Sequence, residues 1–171
     1  QILAVVANTA VNTDGRKSGL TVPSSAAQSA LLEEVYSRAN IEPDDIDYIE
    51  AHGTGTAVGD PIETHALGVA IGKRRRAKHP LLIGSVKSNM GHLEAASGVA
   101  GLVKALHCVQ HRVVPATIGI KNQNPNIHFD DWNIEVARET TQLRKSGKLI
   151  VGTNSFGFGG TNGTLVIKKF V

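Results

Sequence analysis

Residues 46–71 read IDYIEAHGTGTAVGDPIETHALGVAI and contain a complete strand, loop and helix. The apolar run IDYIEAH at their start is typical of a short buried strand. Asp60 and Pro61 mark the beginning of a helix that is predicted to continue to about Ile71. Between the strand and the helix lies a run of glycines and threonines, which is typical of a loop. His52 stands where the strand ends and this loop begins.

The same alternation of strands and helices continues along the rest of the chain. A helix from about Ser24 to Ala39 is predicted because Ser25 and Gln28 form a capping box and apolar residues follow at intervals of four. A largely buried helix is predicted over 94–111, where alanine, valine and leucine dominate. Further strands are predicted at ILAVVANTAV (2–11), LLIGSV (81–86), KLIVGTN (148–154) and GTLVIKK (163–169). This order favours an α/β fold in which helices cover a sheet.

The composition is that of a globular protein. Of the 171 residues 41% are apolar and 19% charged, and no apolar run approaches the roughly 18 residues that a membrane-spanning helix requires. A net charge of +3 and an aromatic fraction of 4% argue against a nucleic-acid partner. The single cysteine, Cys108, excludes an internal disulfide and fits a reducing compartment, so we expect a cytoplasmic location. The first residues resemble a strand rather than a secretory signal, which suggests that the chain is part of a longer protein.

Unusual residues follow three of the predicted strands. His52 follows the strand DYIEA (47–51), His92 follows the strand that begins at Leu81, and the glycine-rich FGFGG (156–160) follows the strand that begins at Lys148. Open α/β sheets bind ligands at the carboxyl ends of their strands. Two histidines there can act as proton donors or as fixed hydrogen-bond donors to a developing oxyanion, although a histidine at a strand end is also commonly structural.

Other candidate residues have two interpretations each. Lys87 is either a surface lysine, which its residue type favours, or a partly buried cation that orients His92. Thr54 and Thr56 alternate with glycines, so they either form the turn or present hydroxyls to a ligand.

Common catalytic and metal-binding motifs do not match. The glycines of FGFGG join two strands and depart from the dinucleotide-binding pattern. His107 and His111 have the i, i+4 spacing of a metal pair, but the sequence offers no second ligand cluster, so they are predicted to be ordinary helix residues. Cys108 lies inside an apolar helix, where a free cysteine usually behaves as a small hydrophobe.

Three motifs in this order resemble the β-ketoacyl synthase (condensing enzyme) family. They are EAHGTGTAVGDPIE (50–63), GSVKSNMGHLEAASGVAGLVKAL (84–106) and NSFGFGGTN (154–162). A further stretch, AVNTDGRKSGLTVPS (10–24), is most similar to the ketosynthase domains of type I polyketide synthases and fatty acid synthases. The resemblance implies that residues 1–171 are the C-terminal part of such a domain. It also implies a thiolase-like fold, the C-terminal half of which is a layered α-β-α structure with a mixed sheet.

The family resemblance implies a decarboxylating Claisen condensation. An acyl group is carried on a cysteine, and a malonyl-type extender arrives on the phosphopantetheine arm of an acyl carrier protein. No cofactor and no metal is expected to bind directly. The basic cluster Lys73–Arg76 is either a docking surface for the acidic carrier protein or, as its composition favours, a solvated loop.

The resemblance also assigns roles to individual residues. His52 and His92 match the two catalytic histidines, and Lys87 matches the conserved lysine, which reverses the preference for a surface role. Thr54 and Thr56 match the threonines that bind the pantetheine arm. A gating loop matches at its phenylalanine and its glycines: Phe158, Gly157, Gly159 and Gly160.

The nucleophilic cysteine of the family has no match in this chain, because its motif lies on the N-terminal side of the domain. The segment alone is therefore predicted to be inactive. Its expected partners are the missing N-terminal half and, in the full-length protein, a second copy in a homodimer. The ending NGTLVIKKF (162–170) is similar to stand-alone bacterial fatty acid enzymes, so polyketide and fatty acid pathways both stay open. The alternative is a non-catalytic partner of the chain-length-factor type, which retention of both histidines and Lys87 argues against.

Overall fold

The computed structural model describes residues 1–17, 19, 21–76 and 79–170. Its strands are β1 (Val5–Thr13), β2 (Tyr48–Glu50), β3 (Leu81–Gly84), β4 (Val113–Val114), β5 (Ile134–Val136), β6 (Thr141–Gln142), β7 (Ile150–Phe156) and β8 (Thr161–Lys168). Its α-helices are α1 (Ser25–Arg38), α2 (Gly59–Ala70), α3 (Lys87–Met90), α4 (Ser97–His111) and α5 (Phe129–Trp132). Short 3-10 helices lie at Pro43–Asp45, Gly72–Arg74 and Glu94–Ala96.

Six strands form one mixed sheet in the order β1-β8-β7-β2-β3-β5. Strands β7, β2, β3 and β5 run parallel to one another. Strand β8 pairs antiparallel with both β7 and β1. Strands β4 and β6 form a separate antiparallel pair. The mixed sheet that the family resemblance implied is therefore confirmed.

Helices cover both faces of the sheet. Successive strand residues point to opposite faces, and Ile49 belongs to the core cluster of α1 and α2 whereas its neighbour Tyr48 belongs to that of α4. The same alternation separates Ile150 from Val151. The structure is thus layered α-β-α, with one apolar core on each side of the sheet.

In its N-terminal part, the face of α4 that points away from the sheet is apolar and open. Val99 is 64% exposed and Val103 is 47% exposed. On β1, Ala10 packs on the α1 side, so the alternating Val11, which is 68% exposed, lies on the α4 side. No helix among the described residues is both long and apolar enough to cross a membrane.

Most of the predicted elements form, with shifts at their ends. The first helix is capped by Ser24, whose hydroxyl accepts the N–H of Ala27 at 3.2 Å, so the prediction of Ser25 as the cap is wrong by one residue. Strand β3 ends at Gly84, so the strand predicted over 81–86 is shorter than expected. Lys87 is the first residue of α3, because the chain turns into a helix once pairing with β2 stops.

Candidate active site

Three strands bring their carboxyl ends to one edge of the sheet, because β3 and β7 both pair parallel with β2. His52 follows β2 at this edge, and His92 follows α3 after β3. Their ring centroids lie 5.6 Å apart with the rings nearly perpendicular. Both rings line one cavity of about 710 Å³. The structure therefore brings together the two histidines that the sequence placed on separate motifs.

The ring of His52 is held from the sheet side. Its Nδ1 accepts the backbone N–H of Phe156 at 3.3 Å, and the two rings lie 5.6 Å apart. Because Nδ1 is an acceptor, the neutral imidazole carries its proton on Nε2. His52 is therefore set up as a hydrogen-bond donor through that nitrogen.

His92 has the same arrangement on its own loop. Its Nδ1 accepts the backbone N–H of Glu94 at 2.9 Å and lies 3.0 Å from the hydroxyl of Ser97. In the neutral ring the proton again resides on Nε2. Two imidazoles that each present an Nε2–H to one cavity are suited to stabilising a negative oxygen.

Burial lowers the pKa of His52, and the charge of Lys87 and that of a protonated His92 act in the same direction, so that together they bring it from its ordinary value to about 4. At neutral pH the His52 ring is therefore uncharged. An uncharged ring donates a hydrogen bond without bringing a buried positive charge into the cavity.

We expect His52 to stay neutral down to about pH 5. Histidine resonances followed by NMR in the folded protein measure this, with His52→Gln identifying the signal. The unfolded chain binds a proton on this histidine near its ordinary pKa of 6.5. The contribution of His52 to the free energy of unfolding therefore declines as the pH falls from about 6.5 towards 4. A midpoint near 6.5 in the folded protein would contradict the assignment.

Lys87 is half-buried beside the site rather than free on the surface. Burial lowers the pKa of its ammonium, and the negative charges of Glu63, Glu50 and Asp60 oppose that shift. Lys87 lines a second cavity of about 620 Å³, which shares Asp60 and Glu63 with the first. The position agrees with a cation that tunes the site.

Thr54 and Thr56 lie in the loop between β2 and α2. Their hydroxyl oxygens are 3.3 Å apart, and both residues line the cavity of the two histidines. The Thr56 hydroxyl also accepts the N–H of Gly59 at 3.0 Å, which stabilises the start of α2. Thr56 therefore helps to form the turn while it lines the cavity.

The glycine-rich loop joins β7 and β8 above the same cavity. Phe158 lines the cavity and is 79% exposed. The N–H of Gly160 donates to the carbonyl of Gly157 at 2.9 Å, which closes the turn around Phe158 and Gly159. The phenylalanine that contacts His52 is Phe156, which the sequence analysis did not single out.

Glu63 is a second residue that the sequence analysis missed. It is 5% exposed, and its carboxylate accepts the N–H groups of His52 and Gly53, both at 2.9 Å. Burial raises the pKa of Glu63, and these hydrogen bonds oppose that shift. Gly53 has a φ of +43°, and a Cβ atom there would lie 2.8 Å from that of Ser85. The carboxylate and the glycine together fix the backbone that carries His52.

Replacing Glu63 with glutamine is expected to lower the free energy of unfolding by about 1–3 kcal/mol. The amide has only one acceptor oxygen for the two backbone N–H groups, so one buried donor loses its partner. Thermal unfolding of the full-length protein measures the change, and Glu139→Gln, at an exposed position, is the matched control. Equal melting temperatures for the two variants would rule out this role.

Three other candidates lie apart from the histidine pair. Cys108 is fully buried in the α4 core, and burial raises the pKa of its thiol to about 11, as expected of a structural cysteine. His107 and His111 stack on the exposed side of α4 with centroids 5.7 Å apart. Within the described part of the chain, no group of three or more histidine, cysteine, aspartate or glutamate side chains is placed to hold a metal ion.

The layered sheet and the paired histidines at its carboxyl edge define a condensing-enzyme architecture of the thiolase type. Residues 3–121 match the family model of the β-ketoacyl synthase C-terminal domain, and residues 124–170 match that of the ketoacyl-synthetase C-terminal extension. The chain belongs to the β-ketoacyl synthase family, as its motifs predicted.

The segments that match this chain are small parts of much larger enzymes. Over 170 residues the chain is 47% identical to a phenolphthiocerol/phthiocerol polyketide synthase of Mycobacterium tuberculosis, in an alignment that covers 99% of this chain and 9% of that protein. It is 44% identical to a highly reducing polyketide synthase of Neurospora crassa, over 98% of this chain and 7% of that protein. The chain thus spans less than a tenth of these relatives.

Solved ketosynthase domains have the same fold. The oxazolomycin ketosynthase domain of Streptomyces albus superposes with a TM-score of 0.94 at 35% identity, over 100% of this chain and 30% of that one. The ketosynthase from module 6 of the bacillaene synthase of Bacillus subtilis gives the same TM-score and identity, over 31% of its chain. The predicted thiolase-like fold is therefore confirmed.

Proposed function

We propose that this chain is the C-terminal part of a ketosynthase that performs a decarboxylative Claisen condensation, most consistent with polyketide biosynthesis. The observation that carries the proposal is the 5.6 Å approach of the His52 and His92 rings in one cavity. Each ring keeps its Nε2 proton because its Nδ1 accepts a backbone N–H. The polyketide synthase names of the relatives support the pathway.

In the proposed reaction the malonyl-type thioester loses carbon dioxide. The electron pair of the broken carbon–carbon bond moves into an enolate, and its negative oxygen receives the two imidazole N–H groups. The enolate carbon then attacks the acyl thioester carbonyl and expels the thiolate of the acyl-carrying cysteine. The product is a 3-oxoacyl thioester on the carrier arm, so the enzyme is an acyltransferase. This chemistry needs no cofactor beyond that arm.

The other site residues are proposed to hold the substrate. The hydroxyls of Thr54 and Thr56 line the cavity where the phosphopantetheine arm would bind. The Lys87 ammonium raises the positive potential beside the developing enolate. Phe158 and its flanking glycines form the loop that would open and close over the acyl pocket.

The nucleophile is proposed to lie on an N-terminal half outside this chain, because Cys108 is buried in the α4 core. The exposed valines of α4 and β1 form an apolar surface that such a half would cover. We further propose that the full-length protein is a homodimer in the cytoplasm.

An acyl carrier protein is the proposed partner, and part of the basic cluster Lys73–Arg76 is already engaged within the fold. The Arg75 guanidinium donates to the carbonyls of Pro43 and Ile46 at 2.6 and 2.9 Å, so it serves the fold. Arg74 pairs with Glu33, and the Lys73 ammonium lies over the ring of Trp132. Charge reversal at Arg75 would therefore disturb the fold as well as any docking.

The test is decarboxylation of a malonyl thioester by the full-length protein, measured as carbon dioxide release before and after removal of either histidine. The non-catalytic alternative predicts no such dependence. Retention of both histidines in one cavity favours the catalytic function.

A further inference from the structure

A buried polar network lies between the sheet and α4, beneath the segment that carries Lys87. It consists of Tyr48 and Glu50 on β2 and Lys104 on α4, which are 0%, 1% and 9% exposed. Neither the family motifs nor the proposed reaction assigns these residues a role.

The three side chains bind one another in a closed triangle. The Glu50 Oε2 atom accepts the Tyr48 hydroxyl at 2.6 Å and lies 2.8 Å from the Lys104 Nζ atom. The Lys104 ammonium also donates to the Tyr48 hydroxyl at 2.9 Å. A buried ion pair is commonly no more stable than apolar residues of the same size. Stability alone is therefore a weak explanation for this network.

The second oxygen of Glu50 connects the network to the site. The Glu50 Oε1 atom accepts the backbone N–H of Val86, the N-cap residue that directly precedes Lys87 and α3. The Glu50 charge also acts directly on the Lys87 ammonium. His52 follows Glu50 by two residues in the sequence. Glu50 therefore connects the strand that leads to His52 with the segment that carries Lys87.

Helix α4 approaches Glu50 at a glycine. A Cβ atom at Gly101 would lie 3.4 Å from Glu50 Cγ and 3.0 Å from the Thr153 hydroxyl. Lys104 follows Gly101 by almost one turn, which places its ammonium over the carboxylate. The helix thus packs close to Glu50 and supplies its counter-charge from the same face.

We propose that Glu50 is a positioning residue for Lys87 and that Lys104 and Tyr48 hold its carboxylate in place. The activity measurements that test this proposal rest on the proposed condensing function. Glu50 fixes the start of α3 through the Val86 N–H and supplies negative charge that keeps Lys87 protonated. The ion pair of Glu50 and Lys104 is thus expected to affect the catalytic rate more than substrate binding.

The main test is the double variant Glu50→Gln, Lys104→Met in the full-length protein, which removes both charges together. We expect kcat for malonyl thioester decarboxylation to fall about ten- to a hundredfold with KM nearly unchanged. The alkaline limb of the rate profile should move to lower pH, because Lys87 loses the negative charge of Glu50 while those of Glu63 and Asp60 remain. Val109→Ala, in the buried face of the same helix, is the matched control for a purely structural loss and should leave kcat and the limb in place.

A second variant covers the case in which the double variant does not fold. Tyr48→Phe removes one hydrogen bond to Glu50 but leaves the ion pair, so we expect a decrease in kcat of about fivefold. A folded double variant, or a folded Tyr48→Phe variant, with the wild-type kcat and alkaline limb would overturn the proposal.

A readout without activity separates this proposal from the proposed function. Reductive methylation with ¹³C-formaldehyde labels lysines for NMR titration, and Lys87→Arg identifies the Lys87 signal. In the double variant we expect Lys87 to titrate at a lower pH than in the wild-type protein, whether or not the protein decarboxylates malonyl thioesters. An unchanged Lys87 titration would overturn the proposal. Absence of decarboxylation in the wild-type protein would overturn only the proposed function.

Discussion

Replacing His92 with alanine in the full-length protein is expected to lower the rate of malonyl thioester decarboxylation by about 10²–10³-fold. The ring keeps its Nε2 proton because Nδ1 accepts the Glu94 N–H. Alanine removes this donor, and water that enters the cavity is not oriented in advance towards the enolate oxygen. Carbon dioxide release from a labelled malonyl thioester measures the loss.

The pattern across variants distinguishes a catalytic role from a structural one. His107→Ala is the matched control, because His107 is an exposed histidine of α4. Its replacement should leave the rate of decarboxylation nearly unchanged. His52→Ala should cause a similar loss, and the double histidine variant should lose less than the product of the two, since both donors serve one oxygen. A folded His92→Ala variant that decarboxylates at the wild-type rate would refute the assignment.

The topology of the sheet explains why the histidine pair was predictable. The strands before the two histidines are short and apolar, and His52 comes directly after the first of them whereas His92 follows the second across α3. Parallel strands place their carboxyl ends at a common edge. The sequence positions of His52 and His92 therefore imply a common edge before any contact is known.

The residues that hold the histidines could not be found in this way. Glu63 looks like a polar residue of an amphipathic helix, and only the fold places its carboxylate on the backbone of His52. Glu50 lies within a predicted strand, where alternation assigns a face but no partner, and Phe156 lies in the glycine-rich stretch predicted to follow a strand. Their partners are distant in sequence, as with the N–H of Val86 on Glu50, so local patterns carry no signal for them.

The segment 112–147 was the least predictable part of the fold. Its strands have two or three residues and its helix α5 has four. Such elements are too short to produce a hydrophobic period. Of these elements, β5 forms at the edge of a sheet that longer elements have already defined, and β4 and β6 pair only with each other.

Alkylation with iodoacetamide is expected to abolish condensation by the full-length protein, and to abolish it equally in a Cys108→Ala variant. The acyl group needs a thiolate, and the Cys108 thiol is poorly suited to form one. It is fully buried on α4, and burial raises its pKa to about 11. The reagent must therefore act on a thiol outside residues 1–171.

Two measurements locate this thiol. Mass spectrometry of peptides from protein incubated with an acyl thioester should find the acyl adduct outside this chain and none on the peptide that contains Cys108. Condensation should persist in unalkylated Cys108→Ala, since this change only shortens a core side chain. An adduct on Cys108, or a folded Cys108→Ala variant that no longer condenses, would instead make Cys108 the nucleophile. Because Cys108 lies in the core cluster of α4, α4 would then have to move away from the sheet before the thiol could meet an enolate held by His52 and His92.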